Sequence, residues 1–152
     1  MGRTWEGVNV RWVLLDEVIS IDPGAREAVA RARVPAAGAS PEVLMIEMMA
    51  QTGALLLGAG TDFGRDVVFA KIQDAVFENV PPAGEPLEVR ASCENLRPEG
   101  AWISASISAQ GRGVGSAQLM LMAVGHLIPG REKPVTFHES FMNHYRIREK
   151  IR

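Results

Sequence analysis

A glutamate and a glutamine, four residues apart in a mostly apolar stretch, are the strongest candidates for chemistry in this sequence. Glu47 and Gln51 lie in the segment 43–57, where nearly every other side chain is apolar. An ionised carboxylate in such surroundings is costly unless it is paired, hydrogen-bonded or neutralised. Glu47 therefore either has a structural partner, such as a backbone amide or an arginine, or serves as an acid or base in a functional site.

The stretch around this pair is predicted to be a helix that runs from Pro41 to Leu57. Ser40 offers a hydroxyl for the N-cap, proline suits the first helical position, and the glycines at Gly58 and Gly60 favour an end. Residues four apart lie on one helical face, so the glutamate and the glutamine form a polar strip. Because apolar residues occupy every side of this helix, protein must surround most of its circumference.

The segments before and after the helix show the alternation of β-strands. Two strands precede the helix and meet at an Asp-Pro-Gly turn at residues 22–24, and four more follow, the last running through Met120. The order β-β-α-β-β-β-β predicts an α+β fold in which an antiparallel sheet wraps around the apolar helix. We assign residues 1–130 to this domain.

Residues 131–152 differ in character from the domain that precedes them. They carry repeated basic side chains together with apolar ones, and the spacing of Phe141 and Tyr145 favours a short amphipathic helix. We predict that this basic tail is helical and packs on the domain or on a partner subunit.

Length, charge and cysteine content narrow the classes of protein to consider. The chain has 152 residues and a net charge of -2, which suits one domain and gives no basic field that would attract nucleic acid. Cys93, the single cysteine, cannot form an internal disulfide and favours a cytoplasmic location. No export signal, membrane span, metal site or cofactor is predicted.

The helix and two later segments carry motifs that point to a family. The range 41–51 reads PEVLMIEMMAQ, while the ranges 69–77 and 80–87 read FAKIQDAVF and VPPAGEPL. These segments resemble the motifs PGVLxxEAMAQ and FxGIxxARFxxPVxPGDxL of the 3-hydroxyacyl-[acyl-carrier-protein] dehydratases, of the FabZ and FabA type. The resemblance extends from Leu14 to about Val124 and leaves the basic tail outside it.

The resemblance implies a hot-dog fold and a homodimer, or a higher homo-oligomer, with a continuous sheet and active sites at the subunit interface. In this family a helix glutamate handles the β-hydroxyl of the substrate, a histidine of the partner removes the α-proton, and a backbone amide polarises the thioester carbonyl. Glu47 matches that glutamate, and Gln51 matches the glutamine that closes the motif. The implied substrate is a fatty-acyl thioester on acyl carrier protein or coenzyme A, in fatty-acid or related lipid or polyketide synthesis.

The family histidine has no counterpart in this sequence. It belongs to an HFPG segment before the helix, where ungapped counting from Glu47 places Arg33 to Ala36, and Glu42 replaces the glycine at the helix start. Arginine stays protonated in proteins and cannot act as the base. Without a positioned base, dehydration loses roughly 10²–10⁴-fold in rate. The histidines of the chain all lie near its C-terminus: His126, His138 and His144.

The predicted site has Glu47 as its catalytic acid and a narrow apolar tunnel for the acyl chain beside the helix, ending at that glutamate. Unbranched, flexible methionine side chains suit a surface that adapts to acyl chains. The residues predicted to contact substrate are Gln51, Arg33, Gly38, Leu44, Met48, Leu55 and Phe69.

Three functions are compatible with these observations. The chain is a dehydratase variant in which a tail histidine replaces the missing base, or a thioesterase that uses Glu47 as base or nucleophile. Alternatively, it is an accessory subunit without activity of its own, bound to a catalytic dehydratase.

Overall fold

The computed structural model describes residues 3–5, 8–10, 14–36, 40–132 and 134–152, so that the predicted substrate contact Gly38 lies outside the described residues. Two short strands near the N-terminus pair with each other and were not predicted from the sequence. In chain order the elements are β1 (Arg3–Trp5), β2 (Val8–Val10), β3 (Glu17–Asp22), β4 (Glu27–Arg33), α1 (Pro41–Gly60), β5 (Asp66–Phe77), β6 (Pro86–Cys93), β7 (Gly100–Ala109), β8 (Arg112–Val124), α2 (Glu139–His144) and α3 (Ile147–Lys150).

The main sheet has six antiparallel strands in the order β3-β4-β6-β7-β8-β5. Alternate residues of β6, β7 and β8 are buried, as the sequence pattern predicted, and they form the face that α1 packs against. The predicted α+β plan with a central apolar helix is confirmed. The strands at the two edges are β3 and β5.

Helix α1 begins at Pro41, as predicted, but its N-cap and its end differ from the prediction. It continues to Gly60 instead of ending at Leu57, because Gly58 serves close packing: a Cβ there would lie 2.6 Å from the Phe63 ring. At the start, the Ser40 hydroxyl does not cap the helix and instead donates a hydrogen bond of 2.6 Å to the Glu42 carboxylate. The predicted N-cap hydrogen bond, in which this hydroxyl accepts from a backbone N–H, was therefore wrong; the Glu42 carboxylate instead accepts from the N–H of its own residue.

The length and composition of α1 would allow it to cross a membrane, but 67% of its most apolar window is buried inside the protein. Such burial is characteristic of the core helix of a globular domain. The sheet therefore provides the enclosure that the all-round apolar pattern required.

Gly53 allows α1 to lie close to the sheet, and its replacement is expected to push the two apart. A Cβ at this position would lie 2.9 Å from Cγ2 of Ile103 and 3.2 Å from Cδ1 of Leu121. Gly53→Ala should lower the free energy of unfolding by about 1–3 kcal/mol through overpacking. Gly60→Ala is the control, because its nearest neighbour would be 3.8 Å away. Equal urea midpoints for the two variants would contradict this account.

The C-terminal tail packs on the domain and covers the β3 edge of the sheet. Phe137, Tyr145 and Ile147 are buried in the hydrophobic core. Ile151 forms a parallel bridge with Ile21, and the N–H of the following residue donates to the Ile21 carbonyl at 2.9 Å. The tail thereby pairs with this edge of the sheet at Ile21.

A buried carboxylate that the sequence analysis missed ties the start of this tail to β5. Asp66 is 0% exposed, and its two oxygens accept hydrogen bonds from the N–H groups of Leu127 and Thr136, at 2.8 and 2.7 Å. Burial alone would raise the pKa of Asp66, but these backbone hydrogen bonds outweigh it and hold the pKa below its usual range. The ionised form is therefore part of the native structure.

Removal of this charge is expected to loosen the tail. Asp66→Asn places an amide donor against an N–H donor and should cost about 1.5–3 kcal/mol of unfolding free energy. Because the native pKa of Asp66 is lowered, the stabilisation is complete above the unfolded-state pKa and is lost as pH falls below about 4. Urea unfolding at neutral and acidic pH should show this loss in the wild type and a smaller one in the variant. If the unfolding free energies of the wild type and the variant changed equally with pH, ionised Asp66 would not be the stabilising group.

Candidate functional site

The centre of α1 brings Glu47 and Gln51 together, as the four-residue spacing predicted. Nε2 of Gln51 donates a hydrogen bond to Oε1 of Glu47 at 3.2 Å, and both side chains are half-buried. The backbone N–H of Leu14, just before β3, donates to Oε1 of Gln51 at 3.2 Å. Since the amide oxygen is engaged by this N–H, the amide NH₂ group is directed at the carboxylate.

The surroundings of Glu47 favour its protonated form. Burial raises the pKa of Glu47, and the hydrogen bond from Gln51 opposes this rise without cancelling it. Within the described ranges, no lysine, arginine or histidine forms an ion pair with Glu47. A carboxyl group with a raised pKa and no cation beside it is suited to donate a proton, or to accept one when ionised.

Part of this helix face is not covered by the sheet. Val43 is 58% exposed, and Glu47, Gln51 and Ala54 are half-buried. These residues follow one another at helical spacing, so they form one strip along α1. The strip is accessible to a substrate or to a second subunit.

The other predicted site residues that the structure describes lie on α1 and on two strands. Leu44, Met48 and Leu55 are buried on α1, each three or four residues from Glu47 or Gln51. Phe69 is on β5, and Arg33 is exposed at the end of β4, where it donates to the Gly84 carbonyl at 3.3 Å. The predicted acyl tunnel remains a prediction. Two surface depressions of about 550 and 600 Å³ are lined by residues other than Glu47 and Gln51.

The tail histidines have contacts of their own. Nδ1 of His138 accepts a hydrogen bond from the Phe141 N–H at the start of α2, and the His144 ring packs on the Tyr145 ring at 4.6 Å between centroids. In the described part of the chain, no hydrogen bond joins a histidine to Glu47. The same part contains no group of three His, Cys, Asp or Glu side chains placed to hold a metal ion.

Leu14 belongs to the site but was not predicted from the sequence. Its contribution is a backbone N–H, which every residue except proline carries, so that residue type conveys no signal. Gln51 itself was the only indication, because the oxygen of a half-buried side-chain amide needs a donor nearby.

Comparison with known proteins identifies the class and then the family. No family model matches the chain. Among solved structures, a chain of the dehydratase heterocomplex ApeI:P from Xenorhabdus doucetiae superposes with a TM-score of 0.62 at 18% identity, covering 78% of this chain and 87% of that one. A phenylacetic acid degradation-related protein from Ralstonia eutropha gives 0.60 at 19% identity, with 69% and 82% covered. The fold is therefore the hot-dog fold.

The sequence relatives are more specific. A 3-hydroxyacyl-[acyl-carrier-protein] dehydratase FabZ of Latilactobacillus sakei is 33% identical over 96 residues, covering 56% of this chain and 69% of the relative. A FabZ of Ligilactobacillus salivarius is 30% identical over 122 residues, with 72% and 86% covered. The chain belongs to the FabZ-like family of hot-dog proteins, and the resemblance noted in its motifs is confirmed.

Proposed function

We propose that this protein binds a 3-hydroxyacyl or enoyl thioester beside α1, with Glu47 facing the β-carbon of the acyl group. The observation that carries the proposal is the half-buried Glu47, which has a raised pKa, a hydrogen bond from Gln51 and no cation partner among the described residues. A structural carboxylate would need a partner for its charge. A carboxyl group that donates a proton to a leaving hydroxyl needs the neutral form, which this environment favours.

The acyl group reaches the site on acyl carrier protein or on coenzyme A. Leu44, Met48, Leu55 and Phe69 are the proposed contacts for its chain, and Arg33 and Gly38 are further proposed substrate contacts. A thioesterase from Streptococcus pneumoniae with the same fold, at a TM-score of 0.58 and 16% identity, was crystallised with coenzyme A. This supports a thioester ligand for the fold and leaves the choice of carrier to experiment. We place the protein in the cytoplasm, in keeping with the buried free thiol of Cys93.

We propose that the base for dehydration comes from outside this chain. No histidine lies in the segment before α1, so we propose that a histidine-bearing dehydratase subunit supplies the base opposite Glu47. The chain would then contribute the acid and substrate contacts to a shared site. A dehydratase heterocomplex among proteins of the same fold supports this arrangement.

Strand β5 is the proposed surface for a second hot-dog subunit, either another copy or the catalytic partner. Within the described residues no strand pairs with its outer edge, and Phe69, Ile72 and Val76 are 41%, 44% and 50% exposed. An open apolar edge favours pairing with another strand. The opposite edge, at β3, is already covered by the tail.

A thioesterase is the second candidate. The ionised form of such a carboxyl group can activate water or attack a thioester without a histidine. The raised pKa of Glu47 is compatible with this role.

Thermal unfolding and turnover assays with defined thioesters test these proposals together. We expect 3-hydroxyacyl and crotonyl thioesters to raise the melting temperature of the chain. Hydration of the crotonyl thioester should be negligible with the chain alone and appear when a histidine-bearing dehydratase subunit is co-expressed. That subunit carries a glutamine in place of its own helix glutamate, so that Glu47 is the only acid available. Release of free thiol by the chain alone would establish the thioesterase instead, and absence of thermal protection would reject acyl-thioester binding.

A further inference from the structure

The C-terminal tail reaches the short segment that holds Gln51. Tyr145 is buried, and its hydroxyl donates a hydrogen bond to the backbone carbonyl of Leu15. Its ring packs edge-on against Phe141, with centroids 5.0 Å apart. The ring and the hydroxyl are thus both engaged, and the hydroxyl restrains the backbone just before β3.

The same backbone also holds Gln51. The N–H of Leu14 donates to Oε1 of Gln51 at 3.2 Å, and Nε2 of Gln51 donates to Glu47 at 3.2 Å. Leu14 and Leu15 are consecutive, so the tyrosine bond and the glutamine bond act on one short piece of chain. The next residue, Asp16, is restrained as well, because its N–H donates a hydrogen bond of 2.8 Å to the Arg31 carbonyl in β4.

We propose that Tyr145 is a positioning residue for Glu47 and acts through the backbone of Leu14 and Leu15 and through Gln51. A side-chain amide has a donor end and an acceptor end, and only the donor end can face a carboxylate favourably. The Leu14 N–H engages the acceptor end and thereby selects the orientation in which the NH₂ group meets Glu47. This inference rests on the proposed function only in assigning Glu47 to the site; the link itself exists without substrate.

The role is notable because the tail lies outside the part of the chain that resembles the family. A tail that only covered the β3 edge would need the apolar side chains of this segment and the bridge at Ile151. It would not need a hydroxyl bonded to Leu15. The tyrosine hydroxyl thus gives the tail a connection to the site that packing alone does not require.

Tyr145→Phe in the full chain tests the proposal, because it removes the hydroxyl and keeps the buried ring. Amide hydrogen exchange of Leu14 should accelerate about tenfold relative to that of Val89 in the central strand β6, the factor that corresponds to loss of one hydrogen bond. The pKa of Glu47, followed by carbon NMR of the carboxyl group, should rise further as the hydrogen bond that lowers it weakens. Unchanged values of both quantities would overturn the proposal.

Two further variants separate positioning from general stability. Ile147→Val shortens a fully buried tail side chain without removing a hydrogen bond. It should lower the free energy of unfolding and leave the Leu14 exchange rate and the Glu47 pKa unchanged. Gln51→Leu cuts the link at its other end, and in that background Tyr145→Phe should add no further acceleration at Leu14. Equal effects of Ile147→Val, or additive effects in the double variant, would make Tyr145 a structural residue only.

Both measurements are made without substrate, so their failure is distinct from failure of the proposed function. If the link holds and acyl thioesters give no thermal protection, the function is rejected and the positioning role stands. If protection is found and the link fails, only the role of Tyr145 is withdrawn.

Discussion

Replacement of Glu47 by glutamine is expected to lower turnover of an acyl thioester roughly 10²–10⁴-fold while leaving the fold at least as stable as the wild type. Glutamine keeps the oxygen that accepts the hydrogen bond from Gln51, but it cannot transfer a proton. It also removes a carboxylate whose ionisation is disfavoured by burial. Turnover is measured in the complex with a histidine-bearing subunit, and stability by thermal unfolding of the chain alone.

The stability difference should depend on pH in a defined direction. Because burial raises the native pKa of Glu47, the folded protein holds this proton more tightly than the unfolded chain does. The wild type therefore loses stability as pH rises above about 4, through the native pKa, and Glu47→Gln does not lose this contribution. The variant should match the wild type at acidic pH and equal or exceed it at neutral pH.

Gln118→Glu, on the exposed face of the sheet, is a suitable control for a change in charge and should leave turnover unaffected. A loss of about 3–5 kcal/mol in Glu47→Gln would instead indicate a buried cation left without its partner. That result, combined with no wild-type turnover in the complex, would remove the catalytic assignment and leave an accessory subunit.

The second large effect is expected at the open edge of β5. Ile72→Asp should weaken self-association roughly 10²–10⁴-fold, because it buries an unpaired charge in the pairing surface. Ile128→Asp is the matched control, since Ile128 is a similarly exposed apolar residue, at 45%, in the loop after β8. Light scattering over a concentration series measures both. A wild type that is monomeric at micromolar concentration would contradict the proposed assembly.

A charge exchange on β5 gives a sharper test of the pairing. If two copies pair in the antiparallel register that sets Phe69 opposite the partner's Val76, then Lys71 lies opposite the partner's Asp74. Lys71→Glu should weaken association, and Lys71→Glu combined with Asp74→Lys should restore it. If the double variant associated no better than Lys71→Glu alone, this register would be excluded.

Local patterns in the sequence were sufficient to predict most of the fold. The alternation of β7 predicted its buried face because successive side chains of a strand point to opposite sides of the sheet. The all-apolar helix predicted enclosure by a sheet, since such a helix cannot face water. The spacing of Glu47 and Gln51 predicted that they share one face of the helix, where the structure joins them by a hydrogen bond.

Contacts between distant segments could not be predicted from those patterns. Gly58 was predicted to mark the end of the helix. Its actual role is close packing against the rings of Phe63 and Phe137, which approach it only after folding. Asp66 was overlooked because its partners are backbone N–H groups about 60 and 70 residues away along the chain.

The sequence by itself determined the class of fold, the family and the acid of the proposed site, because these depend on residue type and short-range spacing. Tertiary structure alone decided which amide orients Gln51, where the tail docks and which sheet edge stays open. The physical reason is that backbone groups and sheet edges are chemically alike at every residue. Only their positions in the folded chain determine which of them find partners.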